Sequence, residues 1–137
     1  MKITHVDHFV LTVASISRTC EFYGRALGMR AETFGEGRTA LHFGDQKINL
    51  HEAGREFDPR AKVPTPGSAD FCLISAEPIG AVVKHLESLG VPIELGPVER
   101  TGARSAALGP MMSVYIRDPD GNLVEISAYP EAPPPGR

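Results

Sequence analysis

Four side chains, far apart in the sequence, have the chemistry to bind a divalent metal ion. His8 and Asp70 lie near the start of predicted strands, and His51 and Glu125 each lie in a strand that follows a turn, seven residues from that turn's start. All four alternate with apolar residues, so they share the strand face opposite the apolar core. Imidazole nitrogens and carboxylate oxygens are metal ligands. The four residues are therefore predicted to form a metal site with room for water or substrate oxygens.

The strand that carries Glu125 follows the most informative motif of the chain, Asp118-Pro119-Asp120-Gly121. Pro119 presets φ, Gly121 accepts a positive φ, and aspartate side chains at such places bond their own backbone, so the motif predicts a turn. Residues 123–127 then alternate between apolar and polar, with Glu125 on the polar side. Burying a carboxylate is costly unless it is paired or binds a metal.

The elements that position these residues repeat along the chain. Residues 5–13 alternate as a strand does, and residues 17–28 form an amphipathic helix, capped by Ser15 or Ser17 and ended by Gly28. Three short strands follow, at 29–34, 39–43 and 47–52. After a linker broken by prolines, the same order returns as a strand at 68–75, a helix at 78–89 and strands at 91–95, 111–116 and 123–129.

The repeat predicts an α+β domain built from two modules, each with the order strand, helix, strand, strand, strand. The domain covers residues 1–130, with module one at about 3–53, the linker at 54–67, module two at about 68–129 and a flexible proline-rich tail at 131–137.

Module two contains an extra basic segment, residues 98–108, that is predicted to be a loop. Loops of this length are often functional. Arg100 and Arg104 are candidates to bind an anionic substrate because a guanidinium suits carboxylate or phosphate, although solvated loop charges are the plain alternative. Tyr115 is a further candidate on the next strand, where a packed aromatic ring is the alternative role.

The bulk composition excludes several classes of function. The 137 residues carry a net charge of −3, which gives no footprint for nucleic acid or an anionic membrane. No apolar run approaches the roughly 18–20 residues of a membrane span, and the N-terminus lacks the pattern of a signal peptide. Cys20 and Cys72 are too few for a disulfide framework, so a cytoplasmic protein is expected.

The repeat, the segment Glu21-Phe22-Tyr23-Gly24-Arg25-Ala26-Leu27-Gly28-Met29 and the stretch 118–126 resemble the vicinal oxygen chelate superfamily of glyoxalases, extradiol dioxygenases and bleomycin resistance proteins. The resemblance covers residues 3–129 and is nearest to small glyoxalase-domain-containing proteins. It implies paired βαβββ modules that form an open curved sheet, with metal ligands on the first and last strand of each module. Those positions are His8, His51, Asp70 and Glu125. Metal-dependent members usually carry His where this chain has Asp70, which favours harder ions or an orienting role for Asp70.

The resemblance implies a metal that chelates two neighbouring oxygens and stabilises the charge that develops on them. It suggests a glyoxalase-type lyase or isomerase that acts on a small α-oxo substrate or its thiol adduct, with Zn, Ni, Mn, Fe or Mg bound. The catalytic base is Glu125 by preference, with Asp70 as the alternative. An Fe(II) dioxygenase using His8, His51 and Glu125 is one alternative. A metal-free binding protein of the bleomycin-resistance type is the other. Relatives of this size usually form homodimers, so His8 and Glu125 meet either within one chain or across a dimer.

Overall fold

The first helix begins and ends at the residues that its caps predict. Ser15 accepts a hydrogen bond from the backbone N–H of Arg18 at 3.3 Å, and Gly28 adopts the left-handed conformation with φ of 67°. The helix between them, α1, covers Ile16–Leu27. Of the two serines that the sequence offers as caps, the structure uses Ser15 because its extended backbone aims the hydroxyl at the first turn.

The computed structural model describes residues 1–131, which divide into two units. The first unit comprises residues 1–69 together with residues 118–122. Its strands are β1 (His8–Val13), β2 (Arg30–Phe34), β3 (Arg38–Phe43) and β4 (Gln46–Glu52). They form one sheet in the order β1-β4-β3-β2, in which β1 runs parallel to β4 and the other neighbours are antiparallel.

The second unit, residues 70–117 and 123 onward, repeats this topology. Its elements are β5 (Asp70–Ile74), α2 (Ile79–Ser88), β6 (Leu95–Arg100), a short helix α3 (Ser105–Leu108), β7 (Met111–Arg117) and β8 (Leu123–Ala128). The sheet has the order β5-β8-β7-β6, again with one parallel pair, β5 and β8. The predicted α+β class and the repeated βαβββ order are thus confirmed.

In each unit a helix packs against the apolar face of the sheet, and the side chains between them are buried. Leu41, Ile48 and Leu50 are buried in the first unit, where Tyr23 of α1 is also buried. Val114, Ile116, Val124 and Ile126 are buried in the second unit, as are Val82 and Leu86 of α2. Each such side chain contributes about 1.5–3 kcal/mol on burial. The opposite sheet faces carry the polar residues of interest.

The structure corrects the sequence prediction between α2 and β7. The strand predicted at 91–95 lies instead at Leu95–Arg100, and residues 98–108, predicted to be a loop, contain the end of this strand and helix α3. The pairing of β6 with β7 shifts register between Leu95 and Val98, which spans Pro97. Such an irregularity admits a residue without an N–H into a strand.

Two expectations from the sequence concern membrane-spanning helices and the C-terminal tail. No helix within residues 1–131 is both long enough and apolar enough to span a membrane. The tail predicted at 131–137 lies outside the described residues except for Glu131, which has no regular secondary structure.

Candidate functional site

The turn at 118–122 is fixed by the buried carboxylate of Asp118. One oxygen accepts from the backbone N–H of Asp120 at 3.0 Å and of Asn122 at 2.9 Å, as the motif predicts. The other accepts from the Tyr23 hydroxyl at 2.8 Å and from the Asn122 side-chain amide at 2.8 Å. Burial and the neighbouring Asp118 charge raise the pKa of Tyr23, so its hydroxyl stays a donor at neutral pH. The turn thereby sets the residue at which β8 begins, and with it the position of Glu125 in that strand.

Glu125 lies in the middle of the polar face of the second sheet. Its direct neighbours are Cys72 on β5 and Tyr115 on β7. The hydroxyl of Ser127 donates to Glu125 Oε2 at 3.2 Å, and it also lies 2.6 Å from the buried hydroxyl of Ser113 and 3.2 Å from Cys72 Sγ. This network anchors one oxygen of the carboxylate.

Cys72 belongs to this network as a protonated thiol. Desolvation raises its pKa, and the neighbouring Glu125 carboxylate adds to the effect. The hydrogen bond with Ser127 acts in the opposite direction and lowers the pKa of Cys72, and it makes the thiol a hydrogen-bonding member of this network.

Two of the three residues predicted to bind substrate contact each other, and one of them, Tyr115, lies next to Glu125. Tyr115 is directly opposite Glu125, and Arg100 Nε donates to the Tyr115 hydroxyl at 3.0 Å, with the guanidinium 5.6 Å from the ring centroid. Arg104 precedes α3, and its backbone N–H donates to the Tyr129 hydroxyl at 2.9 Å. Arg104 therefore anchors its segment through the backbone, and its substrate-binding role stays a prediction.

Asp70 opens β5 and is exposed. It pairs with Leu123, two positions from the pair of Cys72 and Glu125, on the same polar face. The pKa of Arg117 is raised, first by its hydrogen bond to Glu94 and then by nearby charges that include Asp70. Asp70 thus has a cationic neighbour as well as a position near Glu125.

His8 opens β1 in the first unit and has an oriented ring. Its Nδ1 lies 2.7 Å from the Asp7 carboxylate, and this bond lowers the pKa of Asp7. A carboxylate bound to one ring nitrogen leaves the other nitrogen for a metal and makes it a better ligand. His8 therefore fits the chemistry predicted for it.

His51 is buried in β4, where desolvation first, and the Arg38 charge second, lower its pKa. The structure does not make His51 a neighbour of His8. His8 pairs with Lys47, whereas His51 pairs with Thr12. Four positions at about 3.3 Å each separate the two rows by about 13 Å along the strands.

The register identifies a different counterpart of Glu125 in the first sheet. Lys47 pairs with both His8 and His42, as Leu123 pairs with both Asp70 and Arg117. Asn49 lies two residues after Lys47, and Glu125 lies two residues after Leu123, each on the same face as the residue it follows. Asn49 Oδ1 is buried and has no hydrogen-bond partner in the described part of the chain. The alternation of Lys47, Asn49 and His51 with apolar residues is the sequence signal that would have included Asn49.

Residues 1–131 contain no group of three His, Cys, Asp or Glu side chains close enough together to hold a metal ion. The set His8, His51, Asp70 and Glu125 accordingly stays a prediction. The donor chemistry of these residues fits a divalent ion, and the oriented ring of His8 and the anchored carboxylate of Glu125 are the best prepared of the four.

Comparison with known proteins gives a consistent result. Residues 5–126 match the family described as the Glyoxalase/Bleomycin resistance protein/Dioxygenase superfamily. Virulence protein STM3117 of Salmonella typhimurium is 56% identical over 129 residues, covering 94% of this chain and 87% of that protein. Its crystal structure has a TM-score of 0.90 at 55% identity and covers 95% of this chain and 100% of that chain.

Two further proteins set the range of the similarity. The glyoxalase domain-containing protein RDO1 of Mycosarcoma maydis is 48% identical over 132 residues, which are 96% of this chain and 72% of that protein. A lactoylglutathione lyase from Agrobacterium tumefaciens is 21% identical and has a TM-score of 0.68, covering 93% of this chain and 96% of that chain. At this identity the lyase shares the fold alone.

Proposed function

The chain belongs to the Glyoxalase/Bleomycin resistance protein/Dioxygenase superfamily, and from this premise we propose that it is a metal-dependent lyase or isomerase of glyoxalase type. Its substrate is a small molecule with two neighbouring oxygens, such as an α-oxo compound or its thiol adduct. The observation that carries the proposal is the setting of Glu125, a carboxylate held at one oxygen by Ser127 and directly opposite Tyr115.

The proposed metal ligands are drawn from His8, His51, Asp70 and Glu125, of which His8 and Glu125 are the best prepared. The row of His51 lies about 13 Å along the strands from that of His8, so one ion is proposed to take one of these two histidines. A bound Zn, Ni, Mn, Fe or Mg ion supplies a Lewis acid that polarises the substrate carbonyl and stabilises developing negative charge. Asp7 supports the proposal because it fixes the ring of His8. The two carboxylates favour the harder ions of this group, and the two imidazoles suit Zn, Ni and Fe.

Glu125 is the proposed base that moves a proton between neighbouring substrate carbons. Ser127 holds one carboxylate oxygen, so the other stays directed for proton transfer. Arg100 and Tyr115 are proposed to bind an anionic substrate group, since their mutual hydrogen bond keeps the guanidinium beside the ring of Tyr115, the residue that pairs with Glu125. Arg104 is proposed as a second cation for the same group.

The experiment loads untagged protein with each of the five metals and assays the methylglyoxal–glutathione adduct. We expect turnover with at least one metal, and Glu125→Gln lowers kcat by about 100-fold or more because the base is lost. Glu99→Gln, at an exposed position of β6, serves as the matched control and keeps full activity. No turnover with any metal, or oxygen-dependent ring opening of catechol with Fe(II) instead, would contradict this function.

We further propose that the protein works as a homodimer in the cytoplasm. The strands β1 and β2 are the edges of one sheet and β5 and β6 the edges of the other, and such edges are commonly covered by a partner. The free cysteines Cys20 and Cys72 suit a reducing compartment. Light scattering during size-exclusion chromatography should give twice the chain mass, and a monomer mass at micromolar concentration would refute the dimer.

A further inference from the structure

On the polar face of the first sheet, two cations form no close ion pair within residues 1–131, although the Lys47 charge is near enough to the Asp7 carboxylate to help lower the pKa of Asp7. Arg38 of β3 and Lys47 of β4 form no ion pair within 4.0 Å among the described residues. Arg30 and Arg60, by contrast, pair with carboxylates at 2.7 Å and 3.5 Å. Arg38 and Lys47 are both only partly exposed, so their charges are not simply solvated.

Aromatic rings hold both cations in place. Lys47 Nζ lies 3.8 Å from the ring centroid of Phe34, and the Arg38 guanidinium carbon lies 4.6 Å from that of Phe57. Phe34 pairs directly with Arg38 across β2 and β3. The ammonium group of Lys47, which lies over the Phe34 ring, therefore reaches the row of paired residues that contains Arg38. A cation resting on a ring keeps its charge and has already lost part of its rotamer freedom. An anion that binds there breaks no ion pair.

An unused hydrogen-bond acceptor lies on the same face. Asn49 falls between Lys47 and His51 on β4, and its Oδ1 is buried without a partner in the described part of the chain. Its neighbour across the strands is Ala40, which is itself buried and has no side-chain group that could donate to Asn49. A buried acceptor without a donor is uncommon, and a ligand that supplies a hydroxyl or N–H accounts for it.

We propose that this face binds the anionic end of a small hydroxylated molecule. A carboxylate or phosphate accepts hydrogen bonds from Arg38 and Lys47, and a hydroxyl next to it donates to Asn49 Oδ1. The inference rests on the proposed function only in taking a small molecule as the ligand. It adds the class of that molecule, a hydroxy acid or a hydroxylated phosphate, and a second set of contacts besides Arg100.

The test is a titration of metal-free protein in EDTA, followed by amide chemical shifts, with glycolate, acetate or inorganic phosphate at constant ionic strength. We expect saturable shifts at residues 38, 47 and 49, and the stronger of glycolate and phosphate identifies the preferred anion. Arg38→Gln and Lys47→Gln each weaken binding about tenfold or more because a charge-assisted bond is lost. Arg30→Gln, whose cation is already paired with Glu32, is the matched control and changes binding less than twofold.

The Asn49 part of the proposal has its own test. Wild-type protein should bind glycolate more tightly than acetate, and Asn49→Ala should remove this preference while it keeps acetate binding. Equal binding of the two acids by the wild type would overturn the assignment of Asn49. Shifts that map elsewhere, or equal losses in Arg38→Gln and Arg30→Gln, would overturn the whole proposal. The variants' own spectra report folding, and because EDTA is present, failure of the metal-dependent reaction leaves this result unaffected.

Discussion

Asp118 shows how one residue can determine where a candidate site begins. Its buried carboxylate accepts four hydrogen bonds, two from its own turn's backbone, one from the Asn122 amide and one from Tyr23. A buried carboxylate satisfied in this way is tolerated, and the loss of one donor leaves charge uncompensated. The link to Tyr23 ties the turn before β8 to helix α1.

Tyr23→Phe should therefore destabilise the protein while it leaves the ring packing unchanged. The expected loss is about 1–3 kcal/mol in the free energy of unfolding, measured by urea denaturation, because one buried donor to Asp118 disappears. Tyr129→Phe removes a hydroxyl from a less buried site that accepts from Arg104, and we expect a smaller loss there. Equal losses in the two variants would show that the Asp118 bond has no special weight.

His51 makes the stability of the metal-free protein depend on pH. Its pKa in the folded state is lowered from 6.5 by desolvation and by Arg38, so the unfolded chain binds its proton first. Full stability is present above pH 6.5 and is lost as the pH falls below that value toward the folded pKa. Urea denaturation in EDTA at pH 7.5 and pH 5.5 should show this loss, and His51→Gln should reduce it. If His51→Gln lost as much stability between pH 7.5 and pH 5.5 as the wild type does, a group other than His51 would be the cause.

At the scale of elements, the linker is fitted against the turn before β8. Gly67 has a φ of +84°, and a Cβ added there would come within 2.6 Å of the carbonyl oxygen of Asp120. Gly54 has the same φ of +84° with nothing within 4 Å of an added Cβ. The two glycines therefore differ in the space around them and have the same φ.

Gly67→Ala should destabilise the protein more than Gly54→Ala does. Both variants carry the cost of a positive φ, about 1 kcal/mol, but only Gly67→Ala adds a clash with a backbone atom that cannot rotate away. Thermal unfolding of the pair measures the difference directly. The same change in Tm for both variants would mean that the linker moves freely away from the turn.

Elements with local signals were predictable from the sequence, and those set by pairing were not. The Ser15 and Gly28 caps and the 118–121 turn depend on neighbouring residues, so their positions were found. Strand β6 depends on β7, since Pro97 argues against a strand and Glu99 and Arg100 carry no apolar pattern. Backbone pairing across the bulge overrides that local preference.

The same limit applies to the equivalence of the two repeats on which the predicted site depends. Counting from the start of each turn equated His51 with Glu125, which presumes turns of equal length. The turn before β4 consists of Gly44 and Asp45, whereas the one before β8 covers residues 118–122. Because the second turn is longer, positions counted from the starts of the two turns are not equivalent. The strand register makes Asn49 the residue of the first sheet that is equivalent to Glu125. The sequence does not single out Arg38 and Lys47, because only the sheet shows which rings they contact.

For the molecule as a whole, the repeated βαβββ order made the fold predictable, and it leaves the reaction open. The superfamily named by the match includes glyoxalases, resistance proteins and dioxygenases on one architecture, so the fold alone selects none of them. We propose that side chains of the polar sheet faces select the function. Of these, the oriented His8 and the anchored Glu125 carry the central claim that the protein binds a catalytic metal.

Calorimetric titration of untagged, metal-free protein with Zn²⁺ and Ni²⁺ tests this claim most directly. We predict one ion per chain, with binding weakened about 100-fold or more in His8→Gln and in Glu125→Gln, because each change removes a ligand. His5→Gln and Glu99→Gln are the matched controls and should bind as the wild type does. Absence of binding by the wild type, or equal affinity in His8→Gln, Glu125→Gln and their controls, would contradict the account.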